Sequence, residues 1–294
     1  MICNWKTSHW LSAGLLLWVF VFSAVAAPKK KLKVLTTFLP VYCFTANVAG
    51  DLAEVENLLP DGVGPHDYSF SPKDLRRLAN ADLVVMNGLG VDDWLEKSIR
   101  AAGAGRIAVV RMNEGAGKRA IRDHGAVNPH VWLDPTLSAH AVTNILLALQ
   151  RADAENAGQY AANASRYVAK LQDLDNELAE GLQPFSRSAF LTFHEAFPYF
   201  VRRYGLNLAG VIEEVPDVEP SARRLASLIR DARKKNVKVI FLEPQFSSRM
   251  ARMIADDLGI PVAELDPLET GPMKPEAYEE GMRRNLQTLQ RYLK

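Results

Sequence analysis

Three histidines and an aspartate, His66, His130, His194 and Asp266, each stand in a short turn-like stretch just beyond a strongly apolar, strand-like run. Imidazoles and carboxylates are metal ligands, and in open α/β sheets ligands gather outside the carboxyl ends of the strands, so four such side chains can converge across a cleft. Three imidazoles with one carboxylate form a borderline-soft set of four that suits tetrahedral zinc. Each residue alone has an ordinary alternative. A loop histidine is usually a solvated side chain, and an acidic residue after a strand is commonly a turn former or a helix cap. The quartet is the stronger signal.

Local context sharpens some members. His66 lies in Gly64-Pro65-His66-Asp67-Tyr68, ahead of Ser71-Pro72-Lys73-Asp74, where Ser71 can cap a helix, Pro72 fits its first position and Asp74 its first turn. His130 lies in Asn128-Pro129-His130-Val131-Trp132-Leu133-Asp134-Pro135, bracketed by two prolines that leave little freedom to rearrange. Asp134 is a candidate to hold a histidine's second ring nitrogen. His194 ends Phe190-Leu191-Thr192-Phe193 beside Glu195, and Asp266 ends Val262-Ala263-Glu264-Leu265 before Pro267. Of the other histidines, His9 falls in a leader and His140 in a helical stretch. His124 sits in the polar stretch from Asn113 to Val127, whose glycines and charges predict a mobile loop, and a solvated side chain is the favoured reading over transient metal capture.

The elements that must position these residues are those of an α/β protein with mainly parallel sheets, since apolar runs alternate with helical patterns. Strands are expected near Lys33–Phe38, Val55–Pro60, Leu83–Asn87 and Ile107–Met112, and again near Ala189–Phe193, Leu208–Ile212, Val237–Leu242 and Val262–Leu265. Helices such as Ser221–Lys235 and Arg249–Leu258 lie between them. Between the halves, Leu137 to Leu182 contains no proline and carries a helical stripe at Tyr167, Leu171, Leu174, Leu178 and Leu182. About 28 helical residues from Glu155 would span roughly 40 Å. The expected division is a leader at 1–26, an amino-terminal α/β lobe at 27–136, linking helices at 137–184 and a carboxyl-terminal α/β lobe at 185–294.

The leader reading rests on Lys6, the apolar run Leu11 to Val25 and the small-x-small site Ala24-Val25-Ala26, with cleavage after Ala26 or Ala27. The run is shorter than the roughly 20 apolar residues of a spanning helix. Cys3 precedes the apolar core instead of closing it, which argues against a lipid-modified terminus. A mature chain of about 268 residues suits two lobes with substantial cores. Removing Lys6 takes the net charge from +1 to 0, so nothing points to nucleic acid. Only Cys43 survives cleavage, so no intramolecular disulfide is available despite export to an oxidising compartment.

From about Lys33 to the carboxyl terminus the chain resembles the periplasmic solute-binding proteins of zinc-uptake ABC transporters, within the wider zinc and manganese binding-protein family of the cluster A-I type. The resemblance is carried by the His66, His130 and His194 segments above, with Thr192-Phe193-His194-Glu195-Ala196-Phe197, Glu243-Pro244-Gln245-Phe246 and Leu265-Asp266-Pro267-Leu268. It implies two α/β lobes joined by a rigid long helix, and a divalent ion held between them by His66, His130, His194 and Asp266. It also implies a periplasmic, monomeric carrier that performs no chemistry and docks on a membrane permease driven by a cytoplasmic ATPase. Manganese-binding relatives usually place a carboxylate where this chain has His194, so Zn2+ is the expected cargo and Mn2+ the alternative. Two departures stand out: the 113–127 loop lacks a long histidine- and acid-rich insertion, and the second half has no cysteine for the disulfide some relatives carry. Other classes are a zinc hydrolase with Asp266 or Glu195 as general base, although no His-Glu-x-x-His helix motif is present, and an adhesin whose metal is structural.

Overall fold

Eight apolar runs become eight short parallel strands, four in each half of the chain. The computed structural model describes residues 1–2, 30–66, 68–101, 107–116, 119–123, 125–213, 220–244 and 249–294. The expected leader at 1–26, apart from its first two residues, and His124 lie outside the described residues. From Lys31 to Lys294 the chain forms one compact unit.

The first half runs β1 (Leu32–Thr36), α1 (Leu39–Ala49), β2 (Ala53–Asn57), α2 (Pro72–Ala79), β3 (Leu83–Met86), α3 (Asp93–Ala101) and β4 (Ala108–Arg111). A small antiparallel pair follows, β5 (Arg122–Asp123) with β6 (Ala126–Val127). Two helices then cross between the halves, α4 (Pro135–Ala152) and α5 (Ala157–Leu182). The second half runs β7 (Ala189–His194), α6 (Pro198–Tyr204), β8 (Asn207–Glu213), α7 (Ala222–Lys234), β9 (Ile240–Leu242), α8 (Arg249–Leu258), β10 (Val262–Glu264) and α9 (Ala277–Tyr292).

The sheet orders are β2-β1-β3-β4 and β8-β7-β9-β10, so the halves share one topology, with every neighbouring pair parallel. In each sheet the order reverses between the first and third strands, at β1/β3 and at β7/β9. Residues just past those strand ends face a crevice, the place where such sheets bind ligands. Strands covered by helices on both faces lose the alternation of polar and apolar residues. Accordingly β3 (LVVM) and β7 (AFLTFH) are buried along their whole length.

Helix signals in the sequence act as expected at α2. Ser71 Oγ accepts from the Asp74 N–H, the Asp74 carboxylate accepts from the Ser71 N–H at 2.9 Å, and Pro72 occupies the first turn. The result is a reciprocal capping box. The 26-residue α5 buries Tyr167, Leu171, Leu174, Leu178 and Leu182, so the stripe is core. That core is continuous across the halves, from Val34 to Leu293, because α9 returns to pack on both α5 and α1. Arg203 and Tyr204 of α6 both donate to the buried Asp175 carboxylate of α5, fixing the second half to the same rod.

Two expectations change. The stretch expected to be a mobile loop contains the β5–β6 hairpin, its turn at Gly125 with φ of 87°, anchored where the Ile121 N–H donates to Tyr199 Oη at 3.0 Å. The seventh expected strand starts later, at Ile240, because Val237 is spent on closing α7 through a bond to the Ala232 carbonyl. Among the described residues no helix is long and apolar enough to cross a membrane.

Candidate metal centre

Each ligand candidate is delivered by a different local device. His194 is the last residue of β7, so strand geometry carries its side chain out at the carboxyl edge. His130 starts a single 3-10 turn over Val131–Leu133, between the two prolines. His66 stands in the turn before α2, whose Pro65 carbonyl accepts from Trp94 Nε1 at 3.0 Å. From the second half comes Glu269, in the loop after β10.

The structure brings together His66, His130, His194 and Glu269, each offering one ligand atom, with all four atoms within 4.8 Å of one another. His130 Nε2 lies 3.3 Å from His66 Nε2 and 3.2 Å from His194 Nε2. Glu269 Oε1 lies 3.1, 3.2 and 3.8 Å from the Nε2 atoms of His66, His130 and His194. Bonds of about 2.0–2.1 Å at tetrahedral angles would put ligand atoms about 3.3 Å apart. The measured edges scatter around that value. The side chains of His130, His194 and Glu269 are 4, 4 and 2% exposed and that of His66 is 23% exposed, so one corner alone faces water.

Asp266 stands outside this group, and Glu269 takes the place expected of it. The Asp266 carboxylate is turned into its own loop, where Oδ1 accepts from the Leu268 N–H at 2.7 Å. Asn285 brackets the same residue, its Oδ1 accepting from the Asp266 N–H at 2.9 Å and its Nδ2 donating to the Asp266 carbonyl at 2.6 Å. This Asx-type turn holds Leu268 at φ of 61°, a left-handed conformation unusual for a leucine. The chain reverses there and aims the next residue, Glu269, at the histidines. Burial pushes the Asp266 carboxyl up to about 6. The signal available in the sequence was an acid two residues after the Asp266-Pro267 pair, which strand-end reasoning passes over.

Asp134 is likewise a builder of backbone: its Oδ1 accepts from the N–H and hydroxyl of Thr136 at 2.9 and 2.6 Å, starting α4. The partner of His130 is Asn128. Asn128 Nδ2 donates to the Glu195 carbonyl at 2.8 Å, which leaves Oδ1 to accept from both the His130 N–H and its ring Nδ1, at 3.0 and 2.9 Å. His194 Nδ1 is in turn hydrogen-bonded to Glu243 Oε1. His140 stays on α4, bonded to the Glu114 carbonyl.

These bonds fix chemistry. Coordination through Nε2 requires the ring proton of His130 and of His194 on Nδ1, where Asn128 Oδ1 and Glu243 Oε1 stand within hydrogen-bond reach, and the Nε2 atoms then present lone pairs to each other and to Glu269 Oε1. Acceptors converging at such distances repel unless a cation sits among them. Burial lowers both imidazoles to about 4, keeping them neutral and able to coordinate. Burial works against ionisation of Glu269, yet the adjoining His130 and His66 more than reverse it and hold that carboxyl below the ordinary range. Burial, followed by the charge of Glu269, drives Glu243 the other way, upward.

The walls are bolted across the two halves. Besides the Asn128 bond to Glu195, Tyr199 Oη donates to the Asn128 carbonyl at 2.8 Å, Trp132 Nε1 to the Pro267 carbonyl at 2.7 Å and Tyr278 Oη to the Trp132 carbonyl at 2.6 Å. The loops carrying His130, His194 and Glu269 are therefore one hydrogen-bonded body.

Comparison with known proteins points the same way. Residues 34–292 match the family model described as zinc-uptake complex component A periplasmic. The chain is 35% identical over 286 residues to the zinc-binding protein AdcA of Streptococcus pyogenes serotype M18 (strain MGAS8232), covering 88% of this chain and 55% of that protein. It thus spans about half the length of the AdcA relative. It is also 35% identical over 277 residues to the high-affinity zinc uptake system protein ZnuA of Bacillus subtilis (strain 168), covering 88% of this chain and 86% of that one. Among solved structures, the SBP FpvC of Pseudomonas aeruginosa in complex with Mn2+ superposes with a TM-score of 0.81 at 33% identity, covering 89% of this chain and 98% of FpvC.

Proposed function

Because the chain belongs to the zinc-uptake complex component A periplasmic family, we propose that it is a high-affinity carrier that captures Zn2+ between its two halves and delivers it to an ABC transporter. The ligands are His66, His130, His194 and Glu269. The observation that carries this reading is the convergence of three imidazole nitrogens and one carboxylate oxygen within 4.8 Å. Nitrogen-rich, four-coordinate, closed geometry suits zinc, whereas manganese favours more oxygen ligands and a higher coordination number. The likeness to Mn2+-bound FpvC makes manganese the ion to compare.

Four protein ligands leave no open position for an activated water, unlike catalytic zinc sites with three, so the protein holds and passes the ion without chemistry. Its partners in this reading are a membrane permease and the cytoplasmic ATPase that drives it. The chain works as a periplasmic monomer after removal of residues 1–26.

Isothermal titration of chelator-stripped mature protein with zinc and with manganese, alongside His194→Ala, tests the reading. The expected result is tight one-to-one zinc binding, weaker manganese binding, and loss of zinc affinity in the variant. Weak zinc binding, or an unaffected variant, would overturn it.

A further inference from the structure

We propose that Glu243 is the positioning residue of this metal centre: its carboxyl group holds His194 in the tautomer and orientation that present Nε2 to the ion. The inference rests on the metal-carrier reading above and concerns a residue that does not itself touch the ion.

The placement follows from the sheet. β7 and β9 are adjacent, with Thr192 opposite Phe241, and two residues further along both chains bring His194 beside Glu243. They meet at the point where the strand order reverses. Both are 3% exposed. His194 Nδ1 is hydrogen-bonded to Glu243 Oε1, while Glu243 Oε2 is buried with no hydrogen-bond partner among the described residues. The hydrogen bonds of this buried carboxyl group go to His194, through its ring and its backbone N–H, so the side chain is committed to that one imidazole.

The other buried histidine shows what a neutral group suffices for. Asn128 Oδ1 fixes the ring of His130 through the same Nδ1 position, so an amide is enough to select a tautomer. At His194 a carboxyl group takes the corresponding place. A carboxylate hydrogen-bonded to a ligating imidazole also raises the basicity of the nitrogen that binds the metal.

Glutamine is the discriminating replacement because it has the same shape. Its carbonyl could still accept from Nδ1–H, but without charge, and its amide could instead donate to Nδ1 and push the proton to Nε2, which removes the ligand. The experiment uses chelator-stripped mature protein, wild type with Glu243→Gln, Glu243→Ala and His194→Ala. Zinc affinity is read by competition with a chromophoric chelator, the His194 tautomer by long-range 1H–15N spectra, and metal-free folding by thermal melts. The expected result is a 10- to 100-fold loss of zinc affinity in both Glu243 variants, an Nδ1–H tautomer at His194 in the wild type that is lost or mixed in Glu243→Gln, and metal-free melting no lower than wild type.

If Glu243 only supports the fold, melting falls while the folded protein binds zinc as before, and the proposal is overturned. Wild-type His194 found as the Nε2–H tautomer overturns it without recourse to any variant. Loss of affinity in His194→Ala with none in Glu243→Gln overturns it while leaving the carrier reading intact. Wild-type protein that binds neither zinc nor manganese removes both.

Discussion

The two sheets have the same strand order and therefore two equivalent crevices, yet among the described residues only the second places a member of the His66, His130, His194 and Glu269 cluster at its reversal point. In the first, at β1/β3, a carboxylate also fills the reversal point. Asp92 is fully buried and accepts from Thr37 Oγ1 at 2.8 Å, from the Asn87 N–H at 2.7 Å and from the Gly88 N–H at 2.9 Å. Its bonds close its own loop and tie that loop to Thr37 at the end of β1. In the second, at β7/β9, Glu243 bonds an imidazole whose far nitrogen faces His130 Nε2. The same fold position becomes a structural plug when the carboxylate meets backbone donors, and part of a functional centre when it meets a side chain with a second, outward-facing nitrogen.

That contrast can be broken most directly at Asp92. Asp92→Ala should cost on the order of 4 kcal/mol of metal-free stability, since three buried donors lose their acceptor, while zinc stoichiometry in the folded protein stays at one. Chemical denaturation beside a zinc titration decides it, and a variant that kept its stability but lost zinc would make the two crevices functionally alike. The next largest effect separates two carboxylates within one loop. Glu269→Gln should weaken zinc binding by about 100-fold or more, beyond the range of supporting residues. Asp266→Asn, whose side-chain carbonyl can still accept from the Leu268 N–H, should leave affinity nearly unchanged.

Acid distinguishes the crevices by sign. His194 titrates in the folded protein near 4, below its unfolded value of about 6.5, so its contribution to stability is complete above pH 6.5 and is lost as pH falls towards 4. Burial first, opposed by its three hydrogen bonds, raises Asp92 to about 6. Its contribution is present below the unfolded value of about 3.9 and disappears as pH rises through 6. Metal-free His194→Ala should therefore lose less stability than wild type between pH 7 and 4.5, by about 2 kcal/mol, and equal losses would show that His194 is not kept neutral by burial. The smallest effect lies at the His66 approach. Ser71→Ala removes the cap of α2 and should cost about 1 kcal/mol in denaturation, with all four ligands still in place.

Strands were easy to read because covered parallel strands are continuous apolar runs, and all eight appear in the sequence within a few residues of their observed ends. The three histidines were legible for the same reason, since a strand end fixes where the next side chain emerges. Glu269 was not, because its direction depends on Leu268 adopting positive φ, imposed by the Asp266 turn and by Asn285 from α9, 19 residues later. Asn128 was hidden by a similar ambiguity. Asp134 and Asn128 flank His130 in sequence, and only the bond from Asn128 Nδ2 to the Glu195 carbonyl of the other half settles which one faces the ring. Local patterns reveal where a polar side chain starts, and contacts across the fold decide what it reaches.

Beyond the expected leader the chain has two tryptophans, Trp94 and Trp132, and each abuts one side of the histidine cluster. Trp94 donates to the carbonyl just before His66. Trp132 lies with its ring 5.0 Å from that of His130 and donates to the carbonyl two residues before Glu269. The protein thus carries its own pair of optical probes, one on the partly exposed corner and one in the sealed wall. Replacing either with phenylalanine leaves a single emitter, so the order in which the two sides sense an arriving ion can be timed by stopped-flow fluorescence without attaching any dye.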